Sequence, residues 1–230
     1  MKRLLKKIIK FLGYEIIKYR FTLNDSLKNL IRKENAIVFD IGANKGQSIE
    51  RFNQIFINPI IYSFEPIKEC FDELIVNYGN NVKIFKLAFG EKKEIKTLRV
   101  NKDSGTSSFY KINQNYLNLY GNKEIKQQQV NVNTLDNFVK QNNIKNIDLL
   151  KIDVQGFEEK ILLGAKEILY NVRCIELEII ITNYYDEKSS FKKIEDILEK
   201  YNFTLYNISP PNYNGYKNIQ WLNVLYLNYK

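Results

Sequence analysis

The stretch AIVFDIGANKG, residues 36–46, decides the fold that we predict for this chain. Its apolar run is broken only by Asp40 and ends in a turn that carries Gly42 and Gly46. A short, nearly continuous β-prone run is typical of a strand buried on both faces of a parallel sheet. The glycines allow a sharp bend and a close approach to a ligand. Residues 47–56 then have a helical pattern, so the stretch predicts the first unit of a nucleotide-binding α/β sheet.

Size and composition indicate one globular domain, with or without an arm. The chain has 230 residues, and its hydrophobic content of 44% is that of an ordinary packed protein. It contains no histidine, so a Ser-His-Asp triad is excluded and proton transfer must use Asp, Glu, Lys, Tyr or Cys. Cys70 and Cys174 have no partner at CxxC spacing, which argues against a zinc site or a disulfide framework.

The positive charge of the chain is concentrated at its beginning. Residues 1–33 carry ten basic and two acidic side chains, whereas the remaining residues carry 25 basic and 24 acidic ones. We therefore divide the chain into a basic arm, residues 1–33, and a nearly neutral domain, residues 34–230. The neutral domain weakens any argument from the overall charge for nucleic-acid binding.

Residues 1–12, MKRLLKKIIKFL, predict a basic amphipathic helix. Two interpretations remain open. Either residues 1–20 make peripheral contact with an anionic membrane, or the apolar stripe packs on the domain or on a second subunit. No apolar run approaches the roughly 20 residues of a membrane span, and no cleavage site of a signal peptide follows. The expected location is the cytoplasm, with the inner face of the membrane as the site implied by the first of these interpretations.

The rest of the chain alternates between strand-like and helical patterns. Further core strands are predicted at residues 60–65, 82–89, 147–154 and 173–181, and a closing antiparallel pair at 203–208 and 223–228. Helices are predicted at residues 68–78, 135–141 with Thr134 as N-cap, 157–169 and 191–201. Residues 92–111 suggest an antiparallel excursion, 116–126 a loop or weak helix, and 130–132 a short strand. The pattern predicts an α/β domain of about seven strands with helices on both faces.

Polar residues at the ends of the predicted strands indicate the ligand. Asp40, Glu65, Ala88 and Asp153 all lie where an open α/β sheet binds its ligand. The glycine spacing is G-x-x-x-G, with Asn44 where a dinucleotide fold has a glycine, and the chain has no P-loop motif. A nucleoside with a charged amino-acid tail suits this pattern better, because Glu65, about twenty residues after the turn, can accept hydrogen bonds from both ribose hydroxyls. The pattern favours S-adenosylmethionine.

Several motifs occur in the order typical of one enzyme family. They are VFDIGANKGQS (38–48), FEP (64–66), LAFG (87–90), GTSS (105–108), VNVNTLD (130–136) and LLKIDVQGFEEKILLGA (149–165). On these motifs the chain resembles the FkbM-type family of S-adenosylmethionine-dependent methyltransferases, over residues 36–230. The resemblance implies a Rossmann-like, seven-stranded class I methyltransferase sheet whose last strand is antiparallel. It also implies O-methyl transfer, commonly to sugars or other hydroxylated metabolites.

The resemblance also assigns roles to individual residues. The methionine end of the cofactor would lie at Asp40, Gly42, Asn44 and Gly46, the ribose at Glu65 and the adenine near Ala88. Asp153 would lie closest to the reacting centre, as a general base or as a structural acid at the strand end. One departure is Gln155, where the family usually has Glu. We therefore assign no metal and give Gln155 no acid–base role.

The acceptor side of the site is less defined. Ser107, with its neighbours in GTSS, either lines the acceptor pocket or forms a turn, and Tyr184 either stacks on a sugar ring or packs. Glu178 aligns with an acid of the family. Together these features predict an O-methyltransferase that acts on a sugar of a surface glycan or of a nucleotide- or lipid-linked precursor. The alternatives are an RNA methyltransferase, which the missing N/D-P-P-Y/F motif disfavours, and a non-catalytic nucleoside-binding domain.

Overall fold

The computed structural model describes residues 9–12, 21–114, 122–213 and 218–229. The strands are β1 (Ile37–Ile41), β2 (Ile60–Phe64), β3 (Lys83–Phe85), β4 (Ala88–Phe89), β5 (Glu94–Asn101), β6 (Glu124–Asn133), β7 (Ile147–Ile152), β8 (Val172–Ile180), β9 (Phe203–Ile208), β10 (Asn212–Tyr213) and β11 (Ile219–Asn228). The helices are α1 (Leu23–Leu30), α2 (Gln47–Ile55), α3 (Lys68–Tyr78), α4 (Leu135–Gln141), α5 (Glu158–Leu163) and α6 (Phe191–Glu199).

The main sheet has the strand order β10-β11-β8-β7-β1-β2-β3, and β9 also pairs with β11. Strands β3, β2, β1, β7 and β8 run parallel, whereas β11 is antiparallel to both β8 and β9. This confirms the predicted seven-stranded sheet with its antiparallel last strand. The two-residue strand β10 extends the edge beyond that prediction.

Strand β1 lies at the centre of the sheet because its side chains alternate between two hydrophobic clusters. Phe39 belongs to the cluster on one face. Its ring centroid lies 5.3 Å from that of Phe64, and the centroid of Phe64 lies 4.9 Å from that of Phe138 in α4. Val38 belongs to the cluster on the other face, with Phe52 of α2. Fully burying side chains of this size contributes roughly 1.5–3 kcal/mol each. Helices cover both faces, as predicted.

Helix α1 packs on the domain although it lies within residues 1–33. Thr22 and Asp25 form a capping box at its start, with the Asp25 N–H donating to the Thr22 hydroxyl at 3.1 Å. Its buried face, with Leu27 fully enclosed, joins the cluster around Phe52. Residues 9–11 are helical, but the rest of the predicted amphipathic helix lies outside the described residues. Among those residues, no helix has the length and apolar character needed to cross a bilayer.

The predicted strand at residues 82–89 is wrong as one element. It is divided into β3, which pairs with β2, and β4, which pairs with β6 in a separate three-stranded sheet. The break covers residues 86–87, because Phe85 pairs with Phe64 whereas Ala88 pairs with Val132. The antiparallel excursion is confirmed by the pairing of β5 with β6.

The start of β6 and the end of α5 differ most from the prediction. Strand β6 begins at residue 124, so residues 124–126 are strand rather than loop or helix, while 115–121 lie outside the described residues. Helix α5 ends at Leu163 rather than at residue 169. A Cβ at Gly164 would lie 2.1 Å from the Gly90 carbonyl oxygen, so the chain crosses another segment closely there. A 3-10 turn, Ile168–Asn171, then continues the apolar pattern.

We predict that Gly42→Ala strongly destabilises the fold. Gly42 has φ of +83°, and a Cβ atom there would lie 1.9 Å from the backbone oxygen of Asp153. Both the left-handed backbone and the clash with backbone oppose a side chain, so we expect a loss of at least about 2 kcal/mol in the free energy of unfolding. Urea denaturation measures it. Gly105→Ala is the control, since the nearest atoms to its Cβ lie at 3.4 Å; equal losses in the two variants would contradict the prediction.

Candidate active site

The glycine turn after β1 is fixed to the tip of β2 by backbone hydrogen bonds. The N–H groups of Gly42 and Ala43 donate to the Phe64 carbonyl at 3.0 and 3.2 Å. Gly46 then forms the left-handed N-cap of α2. Between them, the Asn44 side-chain oxygen accepts a hydrogen bond from the hydroxyl of Ser104 at 2.8 Å. The turn is therefore held on both sides, and it forms one wall of a cleft.

The cleft has a volume of about 290 Å³ and lies beyond the carboxyl ends of β1, β2 and β7. The structure brings together most of the predicted site residues there. Its lining includes Gly42, Asn44, Glu65, Ala88, Ser107 and Asp153. Gly46 lies behind the turn as the cap of α2, and Asp40 lies beneath it, fully buried.

Glu65 is held in place by two backbone groups. Its carboxylate oxygens accept hydrogen bonds from the N–H groups of Asn44 and Ile67, both at 2.8 Å. Burial raises the pKa of Glu65 to about 7, although these two hydrogen bonds oppose the shift. Each carboxylate oxygen has a second lone pair, so it can accept a further hydrogen bond from a ribose hydroxyl.

The rest of the lining matches a nucleoside joined to an amino acid. Near Ala88, the apolar side chains of Ile67, Leu98 and Phe109 offer a wall for a purine. The glycine turn lines the same cleft, and Asp153 lies beside it, since the Asp153 N–H donates to the Ile41 carbonyl at 3.0 Å. S-adenosylmethionine needs a carboxylate for its ribose, an apolar wall for its adenine and a turn that its amino-acid end can approach closely, so the residues present fit the cofactor.

Asp40 acts on the site through a lysine that sequence reasoning missed. Lys151 on β7 is buried and donates to Asp40 Oδ1 at 3.1 Å, and its Nζ lies 3.5 Å from Asp153 Oδ2. Burial disfavours the charge of this lysine, but Asp40 and Asp153 outweigh it and raise the pKa of Lys151. A lysine inside the apolar run of residues 147–154 was the available signal. Such a residue is rarely buried without an acidic partner.

Asp153 is linked to a second acid through Gln155. The Gln155 side-chain N–H₂ donates to Asp153 Oδ1 at 3.0 Å and to Glu178 Oε1 at 2.6 Å. The hydroxyl of Tyr185 donates to the Gln155 side-chain oxygen at 3.0 Å. Burial, followed by the charges of Asp153 and Glu158, raises the pKa of Glu178 well above its ordinary value. Gln155 is therefore a neutral spacer between two carboxyl groups.

Glu158 supports the loop that carries Gln155, and sequence reasoning missed it. It is buried at the start of α5, where its carboxylate accepts the N–H of Gly156 at 3.0 Å. Burial raises the pKa of Glu158 to about 7. Its position in the resembling segment 149–165 was the only signal for it in the sequence.

A second cavity, of about 660 Å³, meets the cleft at Gly105 and Gln155. Tyr184 lies in this cavity together with Trp221 of β11. The two predicted acceptor residues are therefore separated, because Ser107 lines the first cleft and accepts the Asn101 N–H at 3.0 Å.

We expect Glu158→Gln to become more stable, relative to wild type, as the pH rises. A carboxyl group whose pKa is raised in the folded state favours folding below its unfolded pKa and loses that contribution as the pH passes about 7. Glutamine cannot ionise and keeps an oxygen for the Gly156 N–H. Between pH 5 and pH 8 the difference in unfolding free energy should grow by up to about 3 kcal/mol. Urea titrations at several pH values measure it, with exposed Glu199→Gln as control; parallel pH dependence in both variants would refute the expectation.

Comparisons with known proteins agree with this geometry. The sequence model of one protein family, described as the methyltransferase FkbM domain, matches residues 40–205. A curated relative, the 2-O-methyltransferase NoeI of Sinorhizobium fredii (strain NBRC 101917 / NGR234), is 24% identical over 182 residues, which cover 75% of each chain.

Solved structures show the same fold at low sequence identity. A methyltransferase FkbM from Methylobacillus flagellatus KT has a TM-score of 0.51 and 13% identity; the match covers 86% of this chain and 45% of that one. The present chain thus spans less than half the length of that structure. TrmK of M. capricolum, in complex with its natural cofactor product S-adenosyl-homocysteine, has a TM-score of 0.51 and 13% identity, covering 92% of this chain and 70% of that one. The family match spans most of the domain and includes the glycine turn, Glu65 and Asp153, so this chain belongs to the FkbM family of S-adenosylmethionine-dependent methyltransferases.

Proposed function

We propose that the protein transfers the methyl group of S-adenosylmethionine to a hydroxyl of a sugar, in a glycan or in a nucleotide- or lipid-linked precursor. The observation that carries the proposal is the position of Asp153. Its side chain is 31% exposed, lines the cofactor cleft and is held from behind by Lys151. The name of the curated relative, a 2-O-methyltransferase, supports transfer to oxygen.

The cofactor would be bound by the residues that form the cleft. Glu65 accepts hydrogen bonds from the ribose hydroxyls, and the wall near Ala88 contacts the adenine. The glycine turn at Gly42 and Asn44 receives the methionine end. When bound, the sulfonium supplies a methyl group that is already activated for transfer.

The protein contributes alignment and a proton acceptor. An alcohol is a poor nucleophile, so a carboxylate that takes its proton as the new C–O bond forms accelerates the transfer. Asp153 is oriented for this role by Gln155 at 3.0 Å and by Lys151 at 3.5 Å. Holding the acceptor hydroxyl in line with the bond between the sulfur and the methyl group accelerates the transfer further, because the reacting atoms are already aligned.

Glu65→Ala should weaken the binding of S-adenosylhomocysteine by at least about 10-fold, because even one hydrogen bond to a charged group contributes about 1.5–3 kcal/mol. Isothermal titration calorimetry measures the affinity. Glu69→Ala, on the exposed side of α3, is the matched control and should bind as wild type does. Circular dichroism verifies that the variants are folded. Wild-type affinity in a folded Glu65→Ala would rule out the proposed ribose contact.

Asp153→Asn should bind S-adenosylhomocysteine with nearly wild-type affinity but transfer methyl groups at least about 100-fold more slowly, since a general base contributes about 10²–10⁴-fold. Transfer of a tritiated methyl group to a panel of sugars and glycans measures the rate. Unchanged transfer by the variant would show that Asp153 is a structural acid. Cofactor binding without transfer by wild type to any hydroxyl would indicate the non-catalytic alternative.

A further inference from the structure

The second cavity is placed to hold the molecule that receives the methyl group. It shares Gly105 and Gln155 with the cofactor cleft, so the two spaces meet beside Asp153. Its volume of about 660 Å³ is more than twice the 290 Å³ of the cleft. The cleft is proposed to hold an adenosine joined to a methionine, which is much larger than one sugar ring. The second cavity therefore has space for more than one ring.

Aromatic side chains form one wall of this cavity and are fixed before any ligand binds. Tyr184 and Trp221 both line it and pack on the cluster around Ile180 and Tyr185. The Asn122 amide donates to the Tyr184 hydroxyl at 3.0 Å and so holds that ring. Rigid aromatic rings bury a large area at low entropic cost, and a tyrosine or tryptophan also offers a polar edge.

The polar lining consists mostly of amides and hydroxyls. The neutral polar side chains are Thr106, Asn122, Gln155, Thr182, Tyr184 and Gln220. The amide hydrogens of Gln155 are donated to Asp153 and Glu178, and those of Asn122 to Thr106 and Tyr184. These two amides are therefore held in place and offer their oxygens as acceptors for the hydroxyl hydrogens of a neutral sugar.

The charges of the cavity do not suit an anionic acceptor. Among the described residues that line it, the charged ones are Lys102, Asp103 and Glu178. Lys102 is exposed and adjoins Asp103, and the third group is an acid. A diphosphate is typically held by paired cationic side chains or by a helix N-terminus, and this lining offers one lysine.

We propose that the second cavity is the acceptor site and that it binds the end of an uncharged oligosaccharide, with one ring against Tyr184 and Trp221. This inference rests on the proposed methyl transfer and narrows its acceptor. The proposed function left the acceptor sugar in a glycan or in a linked precursor. The present inference selects a sugar in a glycan chain and excludes a sugar linked to a nucleotide.

Trp221 makes the test independent of turnover, because it is the one tryptophan of the sequence and lines the cavity. Its emission can be followed with excitation at the red edge of the absorption band, where the tyrosines contribute little. The full chain with bound S-adenosylhomocysteine is titrated with neutral tri- to pentasaccharides of glucose, galactose, mannose and N-acetylglucosamine, and separately with UDP-glucose and GDP-mannose. We expect a saturable change with at least one neutral oligosaccharide and a weaker response to both nucleotide sugars.

Two variants at one position separate the ring from its hydroxyl. Tyr184→Ala should weaken oligosaccharide binding by about tenfold, as expected for the loss of one aromatic contact. Tyr184→Phe keeps the ring and loses the Asn122 hydrogen bond, so it should bind within about threefold of wild type. Both variants keep Trp221 as reporter and should bind S-adenosylhomocysteine as wild type does, which shows that they are folded.

The outcomes that overturn the inference are clear. The inference is refuted if UDP-glucose or GDP-mannose binds more tightly than every neutral oligosaccharide, or if no neutral oligosaccharide changes the Trp221 emission. It is also refuted if Tyr184→Ala binds the oligosaccharide as tightly as wild type does. Failure of the proposed function gives a different result, namely saturable oligosaccharide binding without transfer of a tritiated methyl group. Transfer to a nucleotide sugar without a change in Trp221 emission would support the enzyme and refute this acceptor site.

Discussion

The site depends on one buried carboxylate, that of Glu65, which joins three parts of the chain. It stands at the tip of β2, accepts the Asn44 N–H of the glycine turn and accepts the Ile67 N–H at the start of α3. These are charge-assisted hydrogen bonds, which are about twice as strong as neutral ones. Even so, burial raises the pKa of Glu65 to about 7, which means that the ionised carboxylate is less stable in this position than in water. Groups kept in this condition are typical of functional sites, where a ligand supplies the missing interactions.

A second constraint is the accumulation of acids behind the reacting centre. The charges of Asp153 and Glu158 add to burial in raising the pKa of Glu178, and Lys151 is a buried cation beside Asp40 and Asp153. A glutamate at position 155 would add another carboxylate between Asp153 and Glu178, where like charges oppose ionisation. Gln155 instead donates its two amide hydrogens to these acids, which a carboxylate cannot do. The departure from the family pattern is therefore accommodated by the hydrogen bonding of this site.

The elements that sequence reasoning predicted well are those specified by neighbouring residues. Helix α3 has the predicted bounds, and α4 begins after its predicted N-cap, Thr134, whose hydroxyl oxygen accepts the Asn137 N–H. Glu65 and Asp153 were predicted at strand ends because each follows a short apolar strand, and both line the cleft. In each case the signal lies within one strand or one helical turn of the feature.

The features that were missed depend on contacts between distant segments. The division of residues 82–89 follows from the pairing of Ala88 with Val132, and the partner of Lys151 is Asp40 on another strand. The second cavity is the extreme case, because Thr106, Asn122, Tyr184 and Trp221 come from four separated parts of the chain. Most of these lie in connections outside the parallel strands, where binding residues tend to concentrate. Short motifs therefore report the cleft at the ends of the parallel strands, whereas the lining of the second cavity comes from segments whose proximity only the fold reveals.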